Sequence, residues 1–135
     1  MANTSVENPI KKKGTLIMTV EDDPVSRRII QTVLEKSGYL VETAASAEDA
    51  LLALRKMVPA VLILDVMMPA MSGFDLCHII KRDARLQKIP VVFLTTRDTP
   101  ADFKSGAEVG AVFYLTKPVR PDRLLQTVRM LVPPV

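Results

Sequence analysis

The sequence predicts an α/β fold: a five-stranded, doubly wound parallel sheet in the strand order 2-1-3-4-5, with helices on both faces. Two observations predict it. Strand-like runs alternate with helix-like ones from residue 15 onward, the pattern of successive βα units. The runs that close on Asp65 and on the acid triplet are also largely apolar, as in Ala60-Val61-Leu62-Ile63-Leu64, which suits strands covered on both faces rather than strands with one wet side. Right-handed crossovers put helices on both faces only if the strand order reverses, and 2-1-3-4-5 is the common solution for five such units.

The first strand, residues 15–20, runs into the acid triplet Glu21-Asp22-Asp23. Asp23 is placed to cap a helix opened by Pro24. Val25, Ile29 and Val33 recur beside Ile30 and Leu34 as its apolar face, Arg27, Arg28, Glu35 and Lys36 take the wet side, and Gly38 stops it. A second strand, residues 39–44, leads to Ser46 with Asp49 three residues on, a capping-box-like start for a helix using Ala47, Ala50, Leu51 and Leu54 that ends before Pro59. The third strand closes on Asp65. A loop over residues 66–73 follows, with Ser72 as cap of a helix through Phe74, Leu76, Cys77, Ile79 and Ile80. Pro90 opens the fourth strand, residues 91–95. Thr99-Pro100-Ala101-Asp102 signals a fourth helix, weakened by Gly106 and Gly110. The fifth strand, residues 111–117, ends at Pro118, and residues 121–131 carry Leu124, Leu125, Val128 and Leu131 at helical spacing. The expected organisation is an N-terminal tail (1–14), one domain (15–132) and a C-terminal tail or linker (133–135).

A length of 135 residues supports one core. The chain is 48% hydrophobic and 24% charged, which is globular, and no apolar run approaches the ~20 residues of a membrane span. Residues 1–14 lack the apolar stretch of a signal peptide and the lone Cys77 has no disulfide partner, so the expected compartment is cytoplasmic, with no membrane partner. The net charge of +3 is concentrated in Lys11, Lys12 and Lys13; without residues 1–14, 15 basic and 14 acidic side chains remain. With no recognition-helix or zinc-ligand pattern, direct nucleic-acid binding is not expected.

In such a sheet ligands bind beyond the carboxyl ends of the strands where the order reverses, between strands 1 and 3. Those ends carry Glu21-Asp22-Asp23 and Asp65, and the neighbouring ends add Thr95 and Lys117. Like charges at ~4 Å cost about 4 kcal/mol at an effective dielectric of ~20, so converging acids require a cation. Mg²⁺ suits, because it takes oxygen ligands, few of them from protein. The set matches phosphoryl transfer onto a carboxylate. Asp65 would be the nucleophile, Mg²⁺ held by the acid pair would neutralise phosphoryl oxygens, Lys117 would hold another, and Thr95 would hydrogen-bond the group once transferred.

The segments Val20-Glu21-Asp22-Asp23-Pro24, Leu64-Asp65-Val66-Met67-Met68-Pro69 with Ser72-Gly73, Leu94-Thr95 and Tyr114-Leu115-Thr116-Lys117-Pro118 come in this order and at these strand ends. Over about residues 15–132 the chain resembles the response-regulator receiver domain of two-component signalling, in its chemotaxis-regulator-like form. Receivers are themselves a standing example of the flavodoxin-like 2-1-3-4-5 order, so the topology does not test the resemblance separately. The resemblance implies a phosphorylation-activated switch in which Asp65 accepts phosphate from a histidine kinase, a histidine phosphotransfer protein or a small phosphodonor with Mg²⁺. It implies that Asp22 binds Mg²⁺ directly, Glu21 acts mainly through water, Asp65 shares the ion and Met67 offers its backbone carbonyl. Asp65, Thr95 and Lys117 then carry the chemistry. Thr95 and Tyr114 form the switch pair, the hydroxyl moving toward the phosphoryl group and the ring following into the vacated space. Asp23 falls in the next slot, where capping is the better reading and an auxiliary role stays open. The Lys117–Pro118 bond resembles one that is usually cis. The responding surface, the family's helix 4, strand 5 and helix 5, spans about residues 99–131 here; it would meet a downstream effector domain or protein, or a second copy in a homodimer.

Competing readings are weaker. A phosphohydrolase needs a second acid two residues after the nucleophile, where Met67 stands, so turnover of an external substrate is not expected beyond self-phosphorylation and self-dephosphorylation. A pseudo-receiver acting without phosphate is the alternative, opposed by the full set Asp22, Asp65, Thr95 and Lys117. Nucleotide binding lacks the glycine-rich turn. The resemblance implies that Met67 and Arg97 flank the path of an attacking water; a thioether cannot orient that water, so the phosphoaspartate is expected to hydrolyse at a slow to moderate rate, with Met67 shielding it. His78 reads as a surface residue, and Cys77 with Met67, Met68 and Met71 as packing and loop cover.

Overall fold

Strands β1 (Leu16–Val20), β2 (Leu40–Ala44), β3 (Val61–Asp65), β4 (Val91–Thr95) and β5 (Phe113–Thr116) pair in parallel in the order β2-β1-β3-β4-β5. This is the predicted order, with the reversal between β1 and β3. The computed structural model describes residues 14–96 and 113–132. The predicted helix after Thr99 with its two glycines, Arg97, both tails up to residue 13 and from 133, and the first residues of the predicted fifth strand lie outside the described residues. Helices α1 (Pro24–Lys36), α2 (Ala47–Ala53) and α3 (Gly73–Lys81) follow the first three strands, and a C-terminal helix (Pro121–Leu131) follows β5. Among the described residues no helix is long and apolar enough to cross a membrane.

Alternate residues of the strands feed two cores, which is why the inner runs of β3 and β4 are apolar up to their last residue. Met18, Val20, Leu62, Leu64, Val91 and Phe93 pack with residues of the α2 and α3 segments, among them Ala47, Ala50, Leu76 and Ile80. Ile17, Val61, Ile63, Val92, Leu94 and Leu115 pack with Ile30 and Leu34 of α1 and with Leu124 and Val128 of the C-terminal helix. Each of the larger side chains among these contributes roughly 1.5–3 kcal/mol when fully buried. That energy also pins the register, since a slip of one residue in β3 would turn Ile63 and Asp65 together to the opposite face.

The predicted caps form. Asp23 Oδ2 accepts from the Ser26 amide at 2.8 Å, and Ser46 Oγ from the Asp49 amide at 3.0 Å. Ser72 and Asp75 close a full capping box at 3.1 and 3.3 Å. Each cap is worth about 1 kcal/mol. Gly38 takes φ 97° just past α1, a conformation that glycine adopts without a Cβ penalty.

Helix α1 departs from the expected pattern. Only Ile30 and Leu34 are fully buried, while Val25 is 66% and Ile29 50% exposed. The helix starts beyond the carboxyl ends of the strands, so its first turns overhang the sheet and the buried stripe is narrower than the spacing predicts. Arg27 leaves the wet side and becomes half-buried, for a reason that belongs to the site.

Thr19 sits in β1 on the α1 side, wholly buried, and among the described residues its Oγ1 has no hydrogen-bond partner. A buried unsatisfied hydroxyl costs roughly 1–3 kcal/mol. Thr19→Val removes it at nearly the same shape, so the urea midpoint should rise by the equivalent of about 1 kcal/mol; a variant less stable than the parent refutes this reading of the hydroxyl.

Candidate functional site

The acid turn is anchored at the sheet edge, where the Glu21 amide donates to the Ala44 carbonyl at 3.0 Å. Glu21 continues the parity of Ile17 and Thr19, and its side chain is wholly buried. Its Oε1 lies 2.8 Å from Lys117 Nζ. Among the described residues Oε1 accepts no hydrogen bond beyond this ion pair. Its Oε2 accepts from the Asp23 amide at 3.2 Å. Asp65 ends β3 with 2% exposure. Its Oδ2 lies 3.4 Å from the same Lys117 Nζ, and its Oδ1 accepts from the Met67 amide at 3.3 Å. Asp22 is exposed beside them, and carboxylate oxygens of Glu21, Asp22 and Asp65 all lie within 4.8 Å of one another.

The charges follow from this crowding. Burial pushes the Asp65 carboxyl up to about 7; the hydrogen bond and charge of Glu21 push the same way, against Lys117 and the Met67 amide. Burial alone would lower the Lys117 ammonium, but the Glu21 and Asp65 carboxylates outweigh it and raise its pKa. Asp23 is held below the usual carboxylate range, chiefly by the Ser26 amide and hydroxyl, the behaviour of a helix cap.

Three carboxylates, when ionised, face one ammonium, leaving two negative charges uncompensated. All the donors are hard oxygens, so the set fits Mg²⁺. Opposite ligands of that ion lie about 4.2 Å apart, twice its ~2.1 Å bond. The acid oxygens gather within 4.8 Å of one another, close enough for one such ion to serve all three.

The remaining predicted residues sit on neighbouring strand ends. Thr95 closes β4, 1% exposed, and its carbonyl accepts from the Lys117 amide at 2.9 Å. The Lys117–Pro118 peptide is cis, as the resemblance implies. Tyr114 is half-buried on β5, its ring 5.6 Å from Phe93, which meets Phe74 edge-on at 4.7 Å. Met67 stands on the rim, 52% exposed, whereas Met68 is buried. His78 is exposed and Cys77 buried, its thiol pushed up to about 11 by burial.

Two contributors escaped the sequence reading. A Cβ on Gly73 would collide with the Asp65 carbonyl oxygen and come within 3.0 Å of its carbon, so α3 starts against the backbone of Asp65 on the strength of that missing side chain. The Ser72-Gly73 pair was visible as a motif, but its contact was not. Arg27 Nη1 donates to the Glu21 carbonyl at 2.9 Å and the Asp22 carbonyl at 3.4 Å. Spacing on a helical wheel assigns such a residue to solvent, because it ignores what lies beyond the helix end.

Comparison with known proteins agrees with this geometry. The family model of the response regulator receiver domain matches residues 17–129. Response regulator Rre1 of Synechocystis is 40% identical over 116 residues, covering 85% of this chain and 50% of that protein. Protein PilG of Pseudomonas aeruginosa is 34% identical, covering 89% of each. Among solved structures, the chemotaxis protein CheY4 of Vibrio cholerae superposes with a TM-score of 0.85 at 33% identity, over 87% of this chain and 98% of that one. The chain spans about half the length of several curated relatives that it matches.

The raised Asp65 pKa has a definite sign. Between the unfolded value near ~3.9 and the folded value of about 7, the native state holds a proton that the unfolded chain releases. The stability associated with Asp65 is therefore fully present below pH ~4 and is lost as pH rises through about 7. In chelator, Asp65→Asn should gain on the wild type over that window and hold its lead above it. Urea midpoints from pH 4 to 8 check this; a gap that stays flat or narrows contradicts it.

Proposed function

The chain belongs to the response-regulator receiver family, and on that premise we propose that it is a phosphorylation-activated switch whose phosphoacceptor is Asp65. Receiver domains are signalling switches, not enzymes that turn over an external substrate. The observation that carries the finer reading is Asp65 itself, buried at a strand end and sharing one ammonium with a second buried acid.

An Asp65 carboxylate oxygen attacks the phosphorus of a phosphohistidine on a histidine kinase or phosphotransfer protein. The N–P bond breaks, its electron pair leaves with the imidazole, and an aspartyl phosphate remains. With acetyl phosphate the O–P bond breaks instead and acetate departs. Glu21, Asp22, Asp65 and the Met67 carbonyl would hold Mg²⁺, which supplies the positive charge that favours the ionised Asp65 and neutralises phosphoryl oxygens. Lys117 already lies between the two buried carboxylates, and a phosphoryl oxygen at Asp65 competes with Glu21 for it. The Thr95 hydroxyl, at the adjacent strand end, would donate to the phosphoryl group. Tyr114, seated against Phe93, would follow into the space that Thr95 leaves.

For a switch running from 1:99 to 99:1, phosphate must favour the active state by about 5.5 kcal/mol. By the resemblance, the responding surface would span about residues 99–131, of which 113–131 lie among the described residues, and a downstream effector or a second copy of the chain would read it there.

Intact-mass analysis after incubation with acetyl phosphate and Mg²⁺ tests the phosphoacceptor. Wild type should gain one phosphoryl group and Asp65→Asn none; a stable adduct on both, or on neither, defeats the assignment. Met67, exposed on the rim, would shield the phosphoaspartate without orienting water. Met67→Asn should therefore shorten the lifetime of the label severalfold, and an unchanged decay would show that Met67 does not gate the water.

A further inference from the structure

We propose that Arg27 is a positioning residue for the acid turn: its guanidinium, folded back over the start of α1, holds the carbonyls of Glu21 and Asp22 and keeps both carboxylates facing the crevice. The proposal rests on the functional reading above, since it gives Arg27 a part in presenting the Mg²⁺ ligands of that same site.

The placement runs against local electrostatics. A cation over the first turn of a helix is repelled by the free N–H groups there. Arg27 nevertheless sits half-buried at that end, its Nη1 2.9 Å from the Glu21 carbonyl and 3.4 Å from that of Asp22. The carbonyl acceptors and the acid triplet outweigh the repulsion. Its charge also helps to hold the Asp23 carboxyl down, behind the larger effects of Ser26 and the charge of Lys117.

The acids differ in what else restrains them. Glu21 is clamped by Lys117 and by the Asp23 amide. Asp22 is exposed, and its side chain makes no hydrogen bond or ion pair with a described residue. Its direction is set by its backbone, which Arg27 grips from outside while the Glu21 amide binds Ala44 on the sheet side. The helix start is secured separately, by Asp23 on Ser26 and by the Arg27 amide on the Asp23 carbonyl at 2.9 Å. Losing the guanidinium therefore loosens the turn without uncapping α1.

Calorimetric Mg²⁺ titration with no phosphodonor present, on wild type, Arg27→Met, Arg27→Lys and the exposed control Arg28→Met, separates this role from that of a bare charge. The two roles differ in sign. As a bare charge, Arg27 opposes a divalent ion, so its removal tightens binding and lysine replaces it fully. As a positioning residue, its loss in Arg27→Met weakens Mg²⁺ binding roughly five- to tenfold, the worth of one or two hydrogen bonds. Arg27→Lys then weakens it by a smaller factor, because a shorter stem with a point charge does not reproduce the planar fork, and Arg28→Met binds as wild type. Unchanged or tighter binding in both Arg27 variants overturns the proposal, as does equal weakening in Arg28→Met. Should circular dichroism show Arg27→Met unfolded, Arg27→Lys decides on the same terms. A wild type that takes up no Mg²⁺ brings down the functional reading and this inference together, whereas a wild type that binds while its Arg27 variants bind equally well brings down this inference alone.

Discussion

Two buried carboxylates share one ammonium at the mouth of the sheet, and the rest of the site answers to that imbalance. Glu21 and Asp65 both reach Lys117 Nζ, at 2.8 and 3.4 Å, and their own carboxylate oxygens lie within 4.8 Å of each other; a like-charge pair at ~4 Å costs on the order of 4 kcal/mol at an effective dielectric of ~20. The resting structure relieves the cost in two ways. Lys117 sits closer to Glu21, the more deeply buried acid, and the pKa of Asp65 rises to about 7. On the proposed reading the same imbalance is the source of function, because extra positive charge favours the nucleophilic carboxylate and an arriving phosphoryl group bids for the lysine.

Such an arrangement persists only on a stiff frame. β3 and β4 are buried along their whole length, and their apolar side chains fix the register that points Asp65 into the crevice. The start of α3 is pressed against the Asp65 backbone at Gly73, where a side chain has no room. Lys117 is tied through its amide to Thr95. The acid turn lacks that depth of packing and depends on hydrogen bonds from both sides, which is where Arg27 enters. Apart from the buried Thr19 hydroxyl, the polar strain among the described residues gathers at the strand ends, while the hydrophobic layers beneath supply the energy that holds them together.

Much of this was legible in the chain. Largely apolar runs, proline and glycine at the helix limits, and Ser or Asp before each of the first three helices specify local structure through short-range chemistry, and the caps at Asp23, Ser46 and Ser72 form where that chemistry predicts. The convergence of Glu21, Asp22, Asp65 and Lys117 was legible as well, since strand parity and strand order place carboxyl ends side by side. Val25 and Ile29 went the other way: helical spacing reports which residues share a stripe but not how far the sheet extends beneath it.

The sequence by itself determined the order of elements, the two-sided burial of the strands and the gathering of acids at one edge, because each depends on residues near one another along the chain or on the two-residue period of a strand. Only the tertiary structure decided that Lys117 favours Glu21 over Asp65, that Arg27 turns back onto the acid loop and that Gly73 abuts the backbone of Asp65. Those are contacts between groups whose separation depends on how layers dock, to within tenths of an ångström, and no periodicity encodes a distance of that kind.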